Sequence, residues 1–399
     1  MKSVSDIRGY QDALFEWNNE HALVEREECQ TKFMMVEGEV YTSPAFFNPV
    51  MVLNRDFSLL FAVLQSKKQE RPLRIFEPLG GIGVRAFRLV NEIPEHVRSV
   101  VINDFGEVSS LLARYNRGLI NSDKIIQFRR EARSLASELA EEHYKFQMID
   151  LDPFGPPTPF LDSLWNLTQN RGIISVTATD MQALAGVYPT ASLRKYGGRS
   201  LNNFHTHETA ARILIAAVVR SAARFDKGVR PVFTLSSHHY IKVFFEISEG
   251  RGRANEVVSQ ISNAGTCKVC QSHKYIEENE SWNCCSDQVE TYGPLWNGSI
   301  FDNQWCTDAL EVLENYEFPS KRLMEKFLSE GTLPPIPFYY ALEYIGSRIG
   351  TNNPRMRDLI LYLEEKGYIA YKTRFRKGAL RTNAPVSVIE EGMIQLTQK

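Results

Sequence analysis

Leu73-Arg-Ile-Phe-Glu-Pro-Leu-Gly-Gly-Ile-Gly-Val-Arg-Ala-Phe-Arg-Leu-Val90 is the segment that decides the fold. A short apolar run gives way to a proline and three glycines, which open into apolar positions at helical spacing. This reads as a strand over Leu73–Glu77, a tight turn, and a helix from Val84 to Val90, the order that a parallel sheet requires. Working outward, the alternation repeats. Ser99 to Asp104 reads as a second strand, Ser109 to Tyr115 as a helix, Ile125 to Phe128 as a third strand and Ala132 to Glu142 as a helix. Phe146 to Asp152 is the fourth strand, stopped by Pro153-Phe-Gly-Pro-Pro, and Gly172 to Thr179 is the fifth. A long helix over His207 to Arg224 precedes a hairpin-like stretch from Val232 to Ile247. The prediction is an α/β chain built on a doubly wound, Rossmann-like sheet.

With 399 residues, 43% of them hydrophobic, the chain is long enough for two or three packed domains. Its 46 basic and 48 acidic side chains leave a net charge of -2, which excludes a uniformly basic protein that coats nucleic acid but leaves room for a local basic patch. The longest apolar runs, such as Ile213 to Val219, are bounded by Arg212 and Arg220 and fall short of the roughly 20 residues of a membrane span. No membrane partner is expected, and a monomer is favoured. The opening Met1-Lys-Ser-Val-Ser-Asp-Ile-Arg lacks the apolar core of a secretory signal, so a cytoplasmic location is expected. At Ser248-Glu-Gly-Arg-Gly-Arg, glycine and charge replace apolar periodicity, which sets a boundary near residue 250. Residues 1–250 then form the sheet domain with an N-terminal extension. Residues 251–399 form a smaller α+β domain with helices over Tyr339–Ile349 and Pro354–Lys366, and a strand from Gly367 leading into a basic turn.

Two constellations carry chemistry. The glycine turn followed by Asp104 at the end of strand two suits the adenosine half of a cofactor: glycines let the backbone approach, and the carboxylate can take ribose hydroxyls. Gly80-Gly-Ile-Gly does not match the full dinucleotide spacing, so a nicotinamide cofactor is not favoured; the bland alternative is a plain strand-to-helix turn. At the end of strand four, Ile149-Asp-Leu-Asp-Pro-Phe-Gly-Pro-Pro sets Asp152, the Pro153 carbonyl and the Phe154 ring on the carboxyl edge of the sheet, where open α/β sheets bind ligands. Two acceptors can take both hydrogens of an exocyclic amine while the ring stacks on a planar base. An aromatic amine attacks poorly until its N–H bonds are oriented, which makes such acceptors chemically meaningful. The alternative is a simple turn with Asp152 capped by local backbone.

Several separated blocks together resemble the tRNA guanine-N2 dimethyltransferases that act on the guanine at position 26. They include Ser43-Pro-Ala-Phe-Phe-Asn-Pro, Leu53-Asn-Arg-Asp, Gly83-Val-Arg-Ala-Phe-Arg, Asn103-Asp, Asp150-Leu-Asp-Pro-Phe-Gly, Thr177-Ala-Thr-Asp, Leu193-Arg-Lys-Tyr-Gly-Gly and Pro337-Phe-Tyr-Tyr. They extend from about residue 37 to about residue 385. The resemblance implies a class I S-adenosylmethionine-dependent methyltransferase acting on tRNA. It implies Arg55, Arg85, Asp104, Glu131 and Ala132 as donor contacts, with Asp104 on the ribose, Glu131 and Ala132 beside the adenine and the arginines near the methionine end. Phe46 and Phe154 would flank the target base, and Asp152 with the Pro153 carbonyl would hold its amine. The roles of Arg55 and Phe46 rest on the resemblance alone. Other readings are an amino methyltransferase for another RNA, DNA or a protein amide, and a non-catalytic RNA-binding protein on the same sheet.

Four of six cysteines, Cys267, Cys270, Cys284 and Cys285, fall close together, which suggests metal rather than a disulfide scaffold. Some relatives carry two Cys-x-x-Cys pairs that look like a structural zinc site; here the second pair is adjacent, so both thiols reach one ion only with a strained backbone. Tetrahedral zinc is the preferred reading, His273 is an alternative fourth ligand, and cysteines packed without metal are the other outcome. Cys29 and Cys306 read as buried thiols. Between Lys366 and Arg381 lie Lys372, Arg374, Arg376 and Lys377 with no acid, and Tyr368, Tyr371 and Phe375 are interleaved, a pattern able to meet phosphates and bases. A second cluster, Arg194, Lys195 and Arg199, reads as part of a glycine-containing loop, and the histidines read as structural.

Overall fold

The computed structural model describes residues 23–37, 43, 45–120, 122–237, 239–277, 280–285 and 289–398. The Met1–Arg8 stretch, Pro44 of the Ser43–Pro49 block and His238 lie outside the described residues. By backbone contacts the chain divides into two compact units, Met1–Thr177 with Phe244–Glu249 and Asp308–Glu325, and Ala178–Val243 with Gly250–Thr307 and Lys326–Lys399.

The first unit opens with an antiparallel hairpin of β1 (Leu23–Glu28) and β2 (Thr31–Val36), then α1 (Val52–Gln69). The alternation follows: β3 (Leu73–Glu77), α2 (Val84–Glu92), β4 (Val97–Asn103), α3 (Glu107–Ile120), β5 (Ile125–Phe128), α4 (Ala132–Glu141), β6 (Phe146–Leu151), α5 (Thr158–Leu164) and β7 (Thr168–Ala178). Next along the chain, with Ala178–Val243 counted in the second unit, come α6 (Met181–Leu184), α7 (Pro189–Tyr196), α8 (Thr206–Ala223), β8 (Lys227–Ser237) and β9 (Tyr240–Glu249). The seven-stranded sheet has the order β5-β4-β3-β6-β7-β9-β8. Pairing is parallel from β5 through β7, and the strand order reverses between β3 and β6. This is the doubly wound α/β sheet expected from the sequence, and its switch point is where such sheets bind ligands.

Hydrophobicity explains the rest of the first unit. The helix α1 is buried from Leu53 to Ser66, with Phe57 and Leu59 to Leu64 in the core and its buried polar residues paired, Arg55 with Glu28, Asp56 with Arg88 and Ser58 with Asp150. Phe61 stacks on Phe244 with ring centroids 4.2 Å apart. The hairpin and the segment after it build a small core in which Phe33, Val36, Ala45 and Phe47 pack with Ile82, Val84 and Leu112. The glycine turn is therefore covered by the N-terminal extension, a feature that period counting from Leu73 onward does not reach. Cys29 sits half-buried at the hairpin turn with φ 55, not in a core as expected, while Cys306 is buried.

The second unit adds two three-stranded sheets. One, after α9 (Arg251–Val258), contains β10 (Ile261–Cys267), β11 (His273–Ile276) and β12 (Val289–Trp296), with β10 in the middle. Helices α10 (Asn303–Leu313) and α11 (Lys321–Gly331) lead to the other, formed by β13 (Tyr340–Ala341), β14 (Ala370–Lys372) and β15 (Ala379–Thr382). Between and after these strands, α12 (Leu342–Ile349), α13 (Met356–Glu365) and α14 (Val386–Thr397) enclose a core of Leu342, Ile345, Leu359, Leu363, Ile389 and Met393. Among the described residues, no helix is long and apolar enough to cross a membrane.

Candidate active site

The carboxyl ends of β3, β4, β5 and β6 carry the predicted site residues, all within the first unit. After β3, Gly81 and Gly83 take φ +56 and +85, a region that residues with a Cβ rarely adopt. A Cβ on Gly83 would lie 2.6 Å from the Phe87 ring, so this position demands glycine doubly. The turn is held to the next strand by Asp104, whose Oδ2 accepts from the Gly81 N–H at 3.0 Å and whose Oδ1 accepts from the Gly106 N–H at 2.8 Å. Burial pushes the Asp104 carboxyl above its ordinary value, and these two N–H donors oppose that rise. Each carboxylate oxygen keeps a further lone pair for a hydroxyl.

Asn103, the last residue of β4, is fully buried and ties three loops together. Its Nδ2 donates to the Pro78 and Arg130 carbonyls, both at 3.0 Å, and its Oδ1 accepts from the Arg130 N–H at 3.0 Å. Sequence reasoning quoted Asn103 but gave it no role. A buried amide directly before a ligand-facing aspartate, able to donate and accept at once, is the signal that could have found it. Arg130 leads into Glu131 and Ala132 at the start of α4. Glu131 caps that helix, accepting from the Ser134 N–H at 2.9 Å, and pairs with Arg133 at 2.9 Å. Ala132 is buried beneath it.

At β6 the structure brings Asp152 and Arg85 together. The guanidinium of Arg85, projecting from the first turn of α2, donates one Nη2–H to Asp152 Oδ2 and another to Asn54 Oδ1 at 3.1 Å, while Nη1 lies 3.4 Å from Asp150 Oδ1. Burial alone would push the Arg85 pKa down, but the carboxylates of Asp150, Asp152 and Glu77 outweigh it and hold the cation firmly. Arg85 Nε–H is buried without a hydrogen-bond partner, an orphan donor that an acceptor on a ligand could satisfy.

Arg55 is held in place by the hairpin. Its Nε donates to Glu28 Oε1 at 2.6 Å and its Nη2 donates to the other oxygen of the same carboxylate, while the guanidinium lies 4.9 Å over the Phe47 ring. Glu28 also accepts from Arg88 at 2.8 Å, and Arg88 in turn pairs with Asp56 and Glu92, each at 2.8 Å. Beside this cluster Phe46 and Phe154 meet edge to face, with centroids 4.3 Å apart and planes at 89°. Phe154 is 69% exposed on a turn that continues through Gly155 at φ +82, whereas Phe46 is half-buried. A base between two rings needs two layers of contact of about 3.5 Å each, so the pair must part to admit one.

In the second unit the four predicted cysteines converge. The Sγ atoms of Cys267, Cys270, Cys284 and Cys285 all lie within 4.8 Å of one another, with Cys270 to Cys284 at 3.5 Å and Cys284 to Cys285 at 3.8 Å. Zinc–sulfur bonds of about 2.3 Å at tetrahedral angles separate sulfurs by about 3.8 Å, so this donor set fits zinc. The adjacent pair does so with Cys285 at φ 46, the backbone strain that adjacency requires. Burial would raise the Cys270 pKa, but hydrogen bonds from Ser272 and Cys284 outweigh it and bring it down to about 7, favouring thiolate. His273 is not one of the group: its Nδ1 is 3.1 Å from the Gln271 carbonyl and its ring packs on Phe338 and Tyr340.

The basic stretch behaves differently from its sequence reading. Arg381 is buried and pairs with Glu208 at 2.6 Å and Glu330 at 3.0 Å, and Phe375 is buried as well. Arg376 pairs with Glu343, Lys366 pairs with Glu391, and Tyr371 donates to the Pro334 carbonyl at 2.5 Å. Lys372, Arg374 and Lys377 remain exposed. In the other cluster, Arg194 and Lys195 lie on α7 rather than in a loop; Lys195 pairs with Asp180 at 3.0 Å, and Arg194 and Arg199 are exposed.

The family model for N2,N2-dimethylguanosine tRNA methyltransferases matches residues 23–394 of this chain, which belongs to that family. Among its relatives, the tRNA (guanine(26)-N(2))-dimethyltransferase of Methanobrevibacter smithii is 31% identical over 387 residues, spanning 94% of this chain and 97% of that protein. The tRNA (guanine(26)-N(2)/guanine(27)-N(2))-dimethyltransferase of Aquifex aeolicus is 29% identical, covering 88% of this chain and 90% of its own length. The solved structure of Trm1 from Pyrococcus horikoshii with S-adenosyl-L-methionine superposes with a TM-score of 0.82 at 28% identity, over 93% of this chain and all of that one.

Proposed function

We propose that this protein methylates the exocyclic N2 amine of guanine 26 in tRNA with S-adenosylmethionine as donor, in two rounds, and does so in the cytoplasm. The observation that carries the reading is that an Asp104-anchored glycine turn and the Asp152-Pro153-Phe154 turn open on one carboxyl edge, with Phe46 against Phe154. Asp104, Glu131 and Ala132 would hold the adenosine part of the donor, and Arg55 and Arg85 its methionine end, where the orphan Arg85 Nε–H offers a carboxylate a partner. Bound there, the donor supplies an electrophilic methyl on a sulfonium sulfur.

The chain's own residues prepare the acceptor. Asp152 and the Pro153 carbonyl take the two N–H hydrogens of the amine and so direct its nitrogen lone pair, while Phe46 and Phe154 stack on a base turned out of the tRNA helix. The amine is weakly basic and loses its proton readily after attack, so a strong general base is not required, and Asp152 serves first as acceptor. Residues 1–250 would carry this chemistry, and residues 251–399 would grip the tRNA through Lys372, Arg374 and Lys377 around a zinc-stabilised cysteine knuckle of Cys267, Cys270, Cys284 and Cys285.

The test is incubation with labelled donor and tRNA transcripts carrying guanine or adenine at position 26, followed by nucleoside mass spectrometry. Mono- and dimethylguanosine in the guanine transcript alone are expected; equal labelling of both, or of DNA or ribosomes instead, would overturn the reading. Stoichiometric zinc in the purified protein, lost in Cys267→Ser, is the matching result for the cysteine site; metal-free wild-type protein would remove it.

A further inference from the structure

The Asp150 carboxylate is fully buried in β6, two residues before the turn that carries Asp152. Burying a charge is unfavourable unless it is paired and hydrogen-bonded, so an aspartate in the middle of a parallel sheet calls for an explanation. Its surroundings supply one. Ser58, buried on α1, donates its hydroxyl to Asp150 Oδ2 at 2.6 Å. The opposite oxygen, Oδ1, faces Arg85 Nη1 at 3.4 Å, and the other terminal nitrogen of that guanidinium is bonded to Asp152 and to Asn54. Helix α1, strand β6 and helix α2 thus meet in one chain of contacts, Ser58 to Asp150 to Arg85 to Asp152, whose first three members are buried and whose last is half-open to the base.

We propose that Asp150, locked by Ser58, is a positioning residue for methyl transfer: it fixes the Arg85 fork from behind, and that fork fixes the rotamer of Asp152, the acceptor for the guanine amine. The inference rests on the reading of Asp152 given above. A guanidinium is planar and its donors are rigidly disposed, so holding Nη1 dictates where Nη2 points. Asp152 follows a strand end and precedes a proline, and the Arg85 fork is what sets its side chain. The alternation Asp-Leu-Asp puts Asp150 and Asp152 on the same side of the strand, two residues apart, where a single arginine can span both.

The experiment compares Asp150→Asn and Ser58→Ala with wild type by steady-state kinetics on tRNA transcripts, donor titration calorimetry and thermal unfolding. A misplacement of about 1 Å at the reacting group can lower turnover by on the order of 100-fold. For Asp150→Asn we expect kcat at saturating donor and tRNA to fall by roughly 10- to 100-fold, with donor Kd rising less than about fivefold and KM for tRNA unchanged. For Ser58→Ala, which leaves the carboxylate in place, the expected fall in kcat is about three- to tenfold with the same split. Arg85→Lys combined with Asp150→Asn should lower kcat by little more than either alone, because both variants break one chain of contacts. A merely structural aspartate would instead lower the melting temperature and leave kcat of the folded fraction intact. If Asp150→Asn does not fold, Ser58→Ala decides. Either variant turning over within twofold of wild type at saturation overturns the inference while leaving the function standing; wild-type protein that binds donor yet methylates no tRNA guanine removes the reading on which it rests.

Discussion

The carboxyl edge of the sheet and the segment from Lys366 to Arg381 look alike in sequence, each mixing charges with aromatic rings, yet they fold into opposite environments. At the edge, Phe154 is 69% exposed and Asp152 is half-open, both set on the turn that ends β6. In the C-terminal segment, Phe375 is buried at 5% exposure and Arg381 at 2%, and Arg381 serves as the internal counter-ion of Glu208 and Glu330. The difference lies in the partners. A carboxylate at a strand end meets a rigid guanidinium and solvent, whereas an arginine in β15 meets two buried glutamates, Glu330 and the Glu208 that it shares with Arg212. A run of like charges is therefore a surface patch only where the fold supplies no opposite charge beneath it.

The comparison can be broken most sharply at Asp152. Asp152→Ala should lower turnover by about 10²- to 10⁴-fold with donor affinity retained within a few-fold, measured by single-turnover methylation and calorimetry. Retained turnover would show that the edge is no more catalytic than the C-terminal segment. Next in size, Arg381→Met should destabilise the protein by about 3–5 kcal/mol, since it strands the buried Glu330 carboxylate and leaves Glu208 with Arg212 alone. Thermal unfolding reads this, and an unchanged melting temperature would return Arg381 to the pool of tRNA-binding cations.

Replacing Lys372, Arg374 and Lys377 together by glutamine should do the reverse, leaving stability within about 0.5 kcal/mol. Their loss should weaken tRNA binding and reduce the salt dependence of log K by about two to three. The smallest expected effect concerns pH. Burial raises the Asp104 pKa above the ordinary 3.8, and ribose hydroxyls need its anion, so donor affinity is full well above that raised value and is lost as pH falls through it. Calorimetry on acidification should show weakening that begins above the usual aspartate range, and Asp104→Asn should flatten the curve.

Much of the sheet was legible because strands and helices of an α/β unit announce themselves by period and by glycine turns; Ile125–Phe128 coincides with its strand residue for residue. The N-terminal hairpin and the long helix Val52–Gln69 were not, since β1 and β2 have mixed faces and α1 buries polar and apolar residues alike, giving no period to read. In the candidate site, Asp104 and Asp152 follow from chemistry at strand ends. Phe46 and Arg55 do not, because their meaning depends on contacts across the chain: Phe46 with Phe154, and Arg55 with Glu28. The second unit shows the same limit. Cysteine spacing pointed to Cys267, Cys270, Cys284 and Cys285, while the exclusion of His273 depends on a carbonyl and two rings that no spacing rule contains.

One carboxylate sets a lower limit on how much of the chain can be removed. Glu28 sits at the tip of the hairpin and neutralises Arg55 and Arg88, which project from two different helices and are both sealed from water. A polypeptide shortened past this residue would not simply lose a flap; it would strip Arg55 of its carboxylate inside the catalytic unit and leave Arg88 to Asp56 and Glu92. Trimming for crystallisation or for a minimal enzyme must therefore stop before Leu23.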